Sequence, residues 1–280
     1  MPDHDPVFES RPNIPSALDH FHEILGPAGR RLSIFLDYDG TLTPIVERPE
    51  LALLSASTRD AVQALASYAT IVILSGRDLE DVHARVGVDG IIYAGSHGFD
   101  IIGPGGLRKR VATDFLPGLD SAEKELRTKI ADISGVLIER KRFSIAVHYR
   151  QVNQNHLEAV TRATTEVATR YSELRILPGK KVYEVQPNVG WNKGRAAIWL
   201  IEKLGLDQAG GLLLYIGDDQ TDEEAFRALG QSGTSVIVTD QPQPTAAHFA
   251  LSSPGEVERF LREIIRFASG PHNAQYSADR

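Results

Sequence analysis

The strongest constraint on the fold is a unit that recurs along the chain. Each unit is an apolar run with the composition of a buried strand, then a short polar segment, then a helical pattern. One such run, 32–36, leads into Asp37–Thr41, and another, 71–74, leads into Ser75–Arg77. Strands that alternate with helices predict βαβ units and a parallel sheet. We therefore expect an α/β fold whose polar groups gather at the carboxyl edge of the sheet, where open α/β sheets place their chemistry.

The segment after the first run carries two carboxylates, Asp37 and Asp39, followed by Gly40. A glycine at this point lets the chain turn sharply. Two acids at the end of a strand suggest a Mg²⁺ site with a nucleophile or an acid/base group in it. An Asx turn, in which the aspartates serve only local hydrogen bonds, is the alternative that this segment alone leaves open.

Two further segments carry groups that suit an anion. Ser75 offers a hydroxyl and Gly76 exposes backbone N–H groups, both of which can bind phosphoryl oxygens. Ser75 could instead cap a helix that begins near Asp78. Lys193 opens a helical pattern, where the positive end of the helix dipole disfavours a cation unless an anion lies beside it. A solvent-exposed lysine is the alternative there.

The densest charge in the chain is the segment 218–224, which contains five acids in seven residues. Acids this close repel one another, and a divalent cation would relieve that repulsion. Thr221 or Asp222 can cap the next helix, and the glutamates that follow suit its first turn. Capping does not account for Asp218 and Asp219, which precede the helix, so we interpret these two as functional.

Composition narrows the class of protein. The chain has 280 residues, is 42% hydrophobic and 24% charged, and carries a net charge of −7. This predicts one large or two modest globular domains and argues against nucleic acid as a partner. No run approaches the length of a membrane span, and the start of the chain lacks the pattern of a signal peptide. The absence of cysteine excludes disulfides and is compatible with a cytoplasmic location, which we expect. No obligate protein partner is evident.

The strand–helix alternation is interrupted in the middle of the chain. Gly103–Gly106 has the composition of a linker, and the pattern beyond it suggests an α+β insert. Helical stretches are predicted at 121–133 and 155–171, and strand pairs at 136–139 with 143–148 and at 175–177 with 181–186. Because the alternation returns at Lys193, we expect a discontinuous Rossmann-like core, 1–106 and 187–280, with a cap inserted at 107–186.

In this order, the motifs resemble those of the haloacid dehalogenase-type phosphatases, and more narrowly those of the trehalose-6-phosphate phosphatases. The resemblance covers most of the chain, from about 33 to 267. It is carried by the segments Asp37–Ile45, Ser75–Arg77, Gly95–Gly98, Glu139–Lys141, Ala146–Arg150, Lys193 and Gly217–Phe226. It implies the haloacid dehalogenase type of parallel-sheet core with an α+β cap.

The resemblance also implies catalytic roles. Asp37 would be the nucleophile that forms an aspartyl-phosphate, and Asp39 would protonate the leaving sugar oxygen and then activate water. Asp39 must be protonated in the first step, which we expect neighbouring acids to favour. Ser75 and Lys193 would hold the other phosphoryl oxygens.

The implied cofactor is Mg²⁺. By resemblance it would be held by Asp37, by the backbone carbonyl of Asp39 and by Asp218. Asp222 would lie behind these ligands and orient Lys193.

For the sugar, the resemblance implies a binding set in the cap made of Glu139, Lys141 and Glu184. On the core side, Gly76 is expected to bind the phosphate through its backbone, and Arg77 could contact the phosphate or cap a helix. From spacing alone, the charged cap residues could equally be a surface ion pair without function. The implied activity is hydrolysis of trehalose 6-phosphate in trehalose biosynthesis, with a small sugar phosphate as the only partner. The alternatives are a phosphatase for another phosphorylated sugar or glycoside, and an inactive sugar-phosphate-binding module.

Overall fold

The computed structural model describes residues 14–27, 29–179 and 181–270. The first residues of the chain, which show no signal-peptide pattern, lie outside this part. The strands are β1 (Leu32–Leu36), β2 (Ala69–Leu74), β3 (Ile92–Gly95), β4 (Asp100–Ile102), β5 (Arg108–Arg110), β6 (Leu137–Arg140), β7 (Ile145–His148), β8 (Leu174–Gly179), β9 (Val182–Pro187), β10 (Leu212–Gly217), β11 (Thr234–Val238) and β12 (Phe249–Leu251). The α-helices are α1 (Phe21–Leu25), α2 (Ala56–Leu65), α3 (Leu79–Val86), α4 (Leu116–Lys129), α5 (Leu157–Arg170), α6 (Lys193–Leu204), α7 (Gln220–Leu229) and α8 (Pro254–Ala268).

The larger sheet has eight strands in the order β12-β11-β10-β1-β2-β3-β4-β5. Strands β12 through β3 run parallel, and β4 and β5 are antiparallel additions at one edge. β1 lies in the middle, and all five of its residues are buried, as expected for a parallel strand covered on both faces. The expected α/β class is confirmed.

Helices cover both faces of this sheet because successive strand residues point to opposite sides. On one face Ile34 and Leu36 join the apolar cluster that contains buried residues of α2 and α8. On the other face Phe35 joins the cluster that contains buried residues of α6 and α7. Because β1, β2 and β10 run parallel, their carboxyl ends lie at one edge of the sheet, and the polar segments that follow them share that edge.

The inserted unit is an antiparallel sheet, β6-β7-β9-β8, packed against α4 and α5. Its apolar core includes Leu126 from α4, Val147 from β7 and Val167 from α5. The expected α+β insert, with two helices and two strand pairs, is present at close to the expected positions. We call it the cap.

The interpretation of Gly103–Gly106 as the linker into the cap was wrong. These residues form the turn between the antiparallel strands β4 and β5, which extend the larger sheet. Glycine and proline punctuate hairpins as readily as linkers, and β4 and β5 are only three residues long, so they are too short to leave a sequence pattern. We therefore propose a boundary after β5 instead of at 106, with the chain returning to the core after β9.

Among residues 14–27, 29–179 and 181–270, the helices are all too short or too polar to cross a bilayer.

Candidate active site

The site lies at the carboxyl edge of the larger sheet. Asp37 directly follows β1, Ser75 directly follows β2, and Asp218 directly follows β10. Because β2 and β10 both pair with β1, these three residues come from neighbouring strands. The fold therefore brings together three of the segments selected from the sequence.

Lys193, from the remaining selected segment, also lies in the site. Its Nζ donates to Asp37 Oδ1 at 2.8 Å and to Asp222 Oδ1 at 2.8 Å. The lysine side chain is only 2% exposed. It starts α6, which is capped by Asn192, whose side-chain oxygen accepts from the backbone N–H of Arg195. The anions that the sequence predicted beside this cation are thus Asp37 and Asp222.

Asp222 organises the loop after β10. Its Oδ1 also accepts from the Tyr215 hydroxyl at 2.8 Å, and its Oδ2 accepts from the backbone N–H groups of Asp218 and Asp219. Asp219 is the N-cap of α7 and forms a capping box with Asp222. The N-cap of α7 is therefore Asp219, a residue that we had interpreted as functional, and not Thr221 or Asp222.

Burial shapes the charge of this cluster. Burial raises the pKa of Asp37 well above its usual range, and although Lys193 opposes this, the charges of Asp218 and Asp219 add to it. Burial likewise raises the pKa of Asp222 against the opposing charge of Lys193. The carboxylates outnumber the single ammonium, so the cluster favours a further cation.

The residues present fit a divalent metal ion. One carboxylate oxygen from each of Asp37, Asp218 and Asp222 lies within 4.8 Å of the others. An all-oxygen, carboxylate-rich donor set is what Mg²⁺ prefers. Gly40 is required beside it, because its φ is +85° and a Cβ there would lie 2.1 Å from Asp218 Oδ2. Both oxygens of Asp222 accept hydrogen bonds, which hold its carboxylate in place beside Asp37 and Asp218.

Asp39 lies beside the cluster and is bound by a cation. Arg77 donates two hydrogen bonds of 2.7 Å each to the Asp39 carboxylate, from Nε and Nη2. Arg77 also donates to Asp81 and to the Pro49 carbonyl. The bonded partner that the structure shows for Asp39 is thus a guanidinium, and the expectation that neighbouring acids favour a proton on Asp39 stays a prediction. The sequence could not show this pairing, which joins residues 38 positions apart.

The cap residues expected to bind sugar lie on one face of the cap sheet. Glu139 pairs in register with Ala146, and Ala146 with Glu184, so both glutamates point to the same side. Lys141 Nζ donates to Glu184 Oε1 at 3.2 Å and to the Gly76 carbonyl at 3.3 Å. The cap thereby reaches the loop after β2.

Partner groups fix the charges of these cap residues. Burial opposes ionisation of Glu184, but the charge of Lys141 and hydrogen bonds from His97 and Ser144 outweigh it, so its pKa lies well below the usual value. A hydrogen bond from His148, at 3.0 Å, lowers the pKa of Glu139. Both glutamates are therefore anions at neutral pH and can accept hydrogen bonds from sugar hydroxyls.

Tyr215 and His97 are two residues of the site that sequence reasoning did not select. Tyr215 is a buried tyrosine within the apolar run of β10, and a hydroxyl in such a run is the signal that could have identified it. His97 belongs to Gly95–Gly98, a segment that carries the family resemblance, but none of its residues was among the predicted site residues.

Comparisons with known proteins identify the family of this chain. The family model described as "Trehalose-phosphatase" matches residues 35–254. The chain is 39% identical to "Probable trehalose-phosphate phosphatase D" of Arabidopsis thaliana over 267 residues, which is 90% of this chain and 72% of that protein. It is also 39% identical to "Trehalose-phosphate phosphatase" of Mycobacterium tuberculosis over 259 residues, which is 90% of this chain and 66% of that protein.

A solved structure has the same fold. The C-terminal domain of the Candida albicans trehalose-6-phosphate phosphatase superposes with a TM-score of 0.76 at 24% identity, covering 92% of this chain and all of that one. The family match spans both halves of the core and the cap between them. The chain belongs to the trehalose-phosphatase family.

Proposed function

We propose that the chain is a Mg²⁺-dependent phosphatase that hydrolyses trehalose 6-phosphate to trehalose and phosphate, a step of trehalose biosynthesis. The observation that carries the proposal is the contact of the cap with the loop after β2, where Lys141, which also binds Glu184, donates to the Gly76 carbonyl. This loop follows the strand next to β1, which leads into Asp37. Groups that could bind phosphate, in the loop after β2, and groups that could bind sugar hydroxyls, in the cap, are therefore in contact. The family membership and the names of its relatives support the same substrate.

In the proposed reaction Asp37 is the nucleophile. Lys193 holds its Oδ1, so Oδ2 attacks phosphorus while the bond between phosphorus and the sugar oxygen breaks. Asp39, in its protonated form, gives its proton to that oxygen, and as the carboxylate it then takes one from the water that hydrolyses the aspartyl-phosphate. Mg²⁺, held by Asp37, Asp218 and the Asp39 carbonyl, would neutralise charge on the phosphoryl group.

Other residues of the chain hold the phosphoryl oxygens. The Ser75 oxygen accepts from the backbone N–H of Arg77 at 3.2 Å, so its own proton is free to donate to a phosphoryl oxygen. Arg77 binds Asp39 in the structure, and a phosphate would compete for the same guanidinium. We propose that this exchange releases Asp39 for proton transfer when substrate enters.

On the sugar side, Glu139, Lys141 and Glu184 would bind hydroxyl groups of the glucose unit distant from the phosphate. Closure of the cap would exclude water from the reacting groups. The cytoplasmic location and the lack of an obligate protein partner stay predictions from the sequence.

The test is release of phosphate from trehalose 6-phosphate, with and without added Mg²⁺, by the full chain and by Asp37→Asn. We expect Asp37→Asn to abolish turnover with an unchanged circular dichroism spectrum, because the amide is not a nucleophile at phosphorus. Asp60→Asn, at an exposed aspartate of α2, is the matched control and should retain activity.

Turnover by Asp37→Asn would refute the mechanism. A panel of sugar phosphates, compared by kcat/KM, separates the proposed substrate from other phosphorylated glycosides. Failure to release phosphate from any of them would favour the inactive binding module.

A further inference from the structure

The segment before the cap contains a strained turn. Ser96 and His97 have φ values of +49° and +57°, and neither is a glycine. Side chains rarely adopt this left-handed backbone, and such residues cluster at functional sites. The turn is tied to the loop after β2, since Ser96 N donates to the Arg77 carbonyl at 2.6 Å and His97 N to the Ser75 carbonyl at 2.8 Å. The strain therefore fixes His97 against the phosphate-binding loop.

The His97 ring lies directly on Gly76. A Cβ at Gly76 would be 2.8 Å from the ring Cε1 and 3.0 Å from Nε2. The absence of a side chain at this position is thus what lets the imidazole lie against the loop. With 8% of its surface exposed, His97 is nearly enclosed.

From this position the ring reaches the cap. His97 Nε2 is 3.2 Å from Glu184 Oε2. The other oxygen, Oε1, accepts from Lys141 at 3.2 Å and from the Ser144 hydroxyl at 2.6 Å. Lys141 and Ser144 belong to the cap, so His97 is the core residue that fixes the glutamate.

The second ring nitrogen supports a specific role. His97 Nδ1 is buried and has no hydrogen-bond partner within the described part of the chain. A proton on Nδ1 would be a buried donor without an acceptor, which is costly, so the proton belongs on Nε2. His97 is therefore a donor to the Glu184 carboxylate. A histidine kept only for packing gains nothing from a strained backbone and an unpaired nitrogen.

We propose that His97 is a positioning residue for sugar recognition: its Nε2–H holds the Glu184 carboxylate over the loop of Ser75 and Gly76 in the orientation that binds the disaccharide. The inference rests on the proposed function and deepens it, because it names a core residue that couples the position of the cap to the phosphoryl site. His97 acts through Glu184 and takes no part in bond breaking.

The experiment compares kcat/KM for trehalose 6-phosphate with kcat/KM for p-nitrophenyl phosphate, which has no sugar. His97→Ala should lower the ratio of the two values on the order of tenfold to a hundredfold, the effect of one hydrogen bond to a charged acceptor. The loss should appear mainly in KM for the disaccharide phosphate. His156→Ala, at an exposed histidine of the cap, is the matched control and should leave the ratio unchanged.

Conservative variants separate positioning from packing. The amide N–H of His97→Gln reaches the place of Nε2 and should restore most of the ratio, whereas His97→Asn is too short and should not. Gly76→Ala would push the ring off Glu184, so it should lower the ratio in the native background and add little to His97→Ala. Equal losses with both substrates, or equal rescue by Gln and Asn, would overturn the proposal.

A second measurement does not depend on the substrate. In thermal unfolding of the full chain, the effects of His97→Ala and Glu184→Ala on the free energy of unfolding should be non-additive, because each substitution removes the same hydrogen bond. Additive effects would overturn the positioning role. If the native protein does not hydrolyse trehalose 6-phosphate, the proposed function fails. The comparison of the two single variants with the double variant in thermal unfolding still decides whether His97 holds Glu184.

Discussion

Replacement of Lys193 by methionine tests how the buried charges are balanced. The lysine Nζ lies 2.8 Å from one oxygen of Asp37 and 2.8 Å from one oxygen of Asp222. The three side chains are at most 6% exposed. Methionine keeps most of the volume and removes the charge, so Lys193→Met leaves two buried carboxylates without their shared cation.

Breaking a buried ion pair by removing one partner costs about 3–5 kcal/mol. For a chain of this size each kcal/mol changes Tm by about 2–4 °C, so the expected fall is roughly 6–20 °C. The pH dependence has a definite sign. Burial already raises the pKa values of Asp37 and Asp222, so the folded variant takes up protons more readily than the unfolded chain. The loss of stability of Lys193→Met relative to the native protein should be greatest at high pH, and it should shrink as the pH falls through those raised pKa values.

The assay is differential scanning calorimetry from pH 5 to pH 8, in EDTA and in excess Mg²⁺. Lys203→Met, at an exposed lysine near the end of the same helix, is the matched control and should change Tm by no more than about 2 °C. Mg²⁺ should narrow the difference between Lys193→Met and the native protein, since it supplies the missing positive charge. A Tm for Lys193→Met equal to that of Lys203→Met would refute this account of the site.

Two other predictions concern charged pairs elsewhere in the site. Glu184→Gln should lower Tm most near neutral pH, because it leaves Lys141 without its anion. The pKa of Glu184 in the folded protein lies well below its usual value, so the difference in Tm should shrink as the pH falls below about 4.5, where the glutamate of the unfolded chain begins to take up protons. A difference in Tm that widens in acid, measured by calorimetry, would contradict this prediction. Arg77→Lys should lower Tm and reduce kcat/KM for trehalose 6-phosphate on the order of tenfold or more, because lysine cannot form the two parallel bonds to Asp39; native-like values for both would contradict the pairing.

Much of the fold, and the grouping of the residues that follow β1, β2 and β10, could be predicted from the sequence. Each polar segment at the end of an apolar strand could be placed at the sheet edge, since strand direction fixes where the strand ends. Asp37, Ser75 and Asp218 could therefore be grouped without coordinates. The inserted cap was also evident, because the strand–helix alternation stopped and then returned at Lys193.

What the sequence did not reveal are contacts between distant segments. The pairing of Asp39 with Arg77 and that of His97 with Glu184 depend on side-chain directions that no local pattern encodes. Short edge strands such as β4 and β5 were missed for a related reason. Three residues are too few to show periodicity, and their pairing partners define them.

In the proposed function, one loop links phosphate chemistry to sugar recognition. In the loop after β2 the Ser75 carbonyl holds His97, the Gly76 carbonyl receives Lys141, and the Arg77 side chain holds Asp39. In both halves of the site a carboxylate is already paired with a cation of the chain, so the proposed substrate would exchange partners instead of adding them. The free energy of binding would then be the difference between the contacts made by the substrate and the ion pairs that it replaces. A phosphate without the sugar would replace only the pair of Arg77 with Asp39. Full exchange needs both groups on one molecule, and this requirement would favour a sugar phosphate over either part alone.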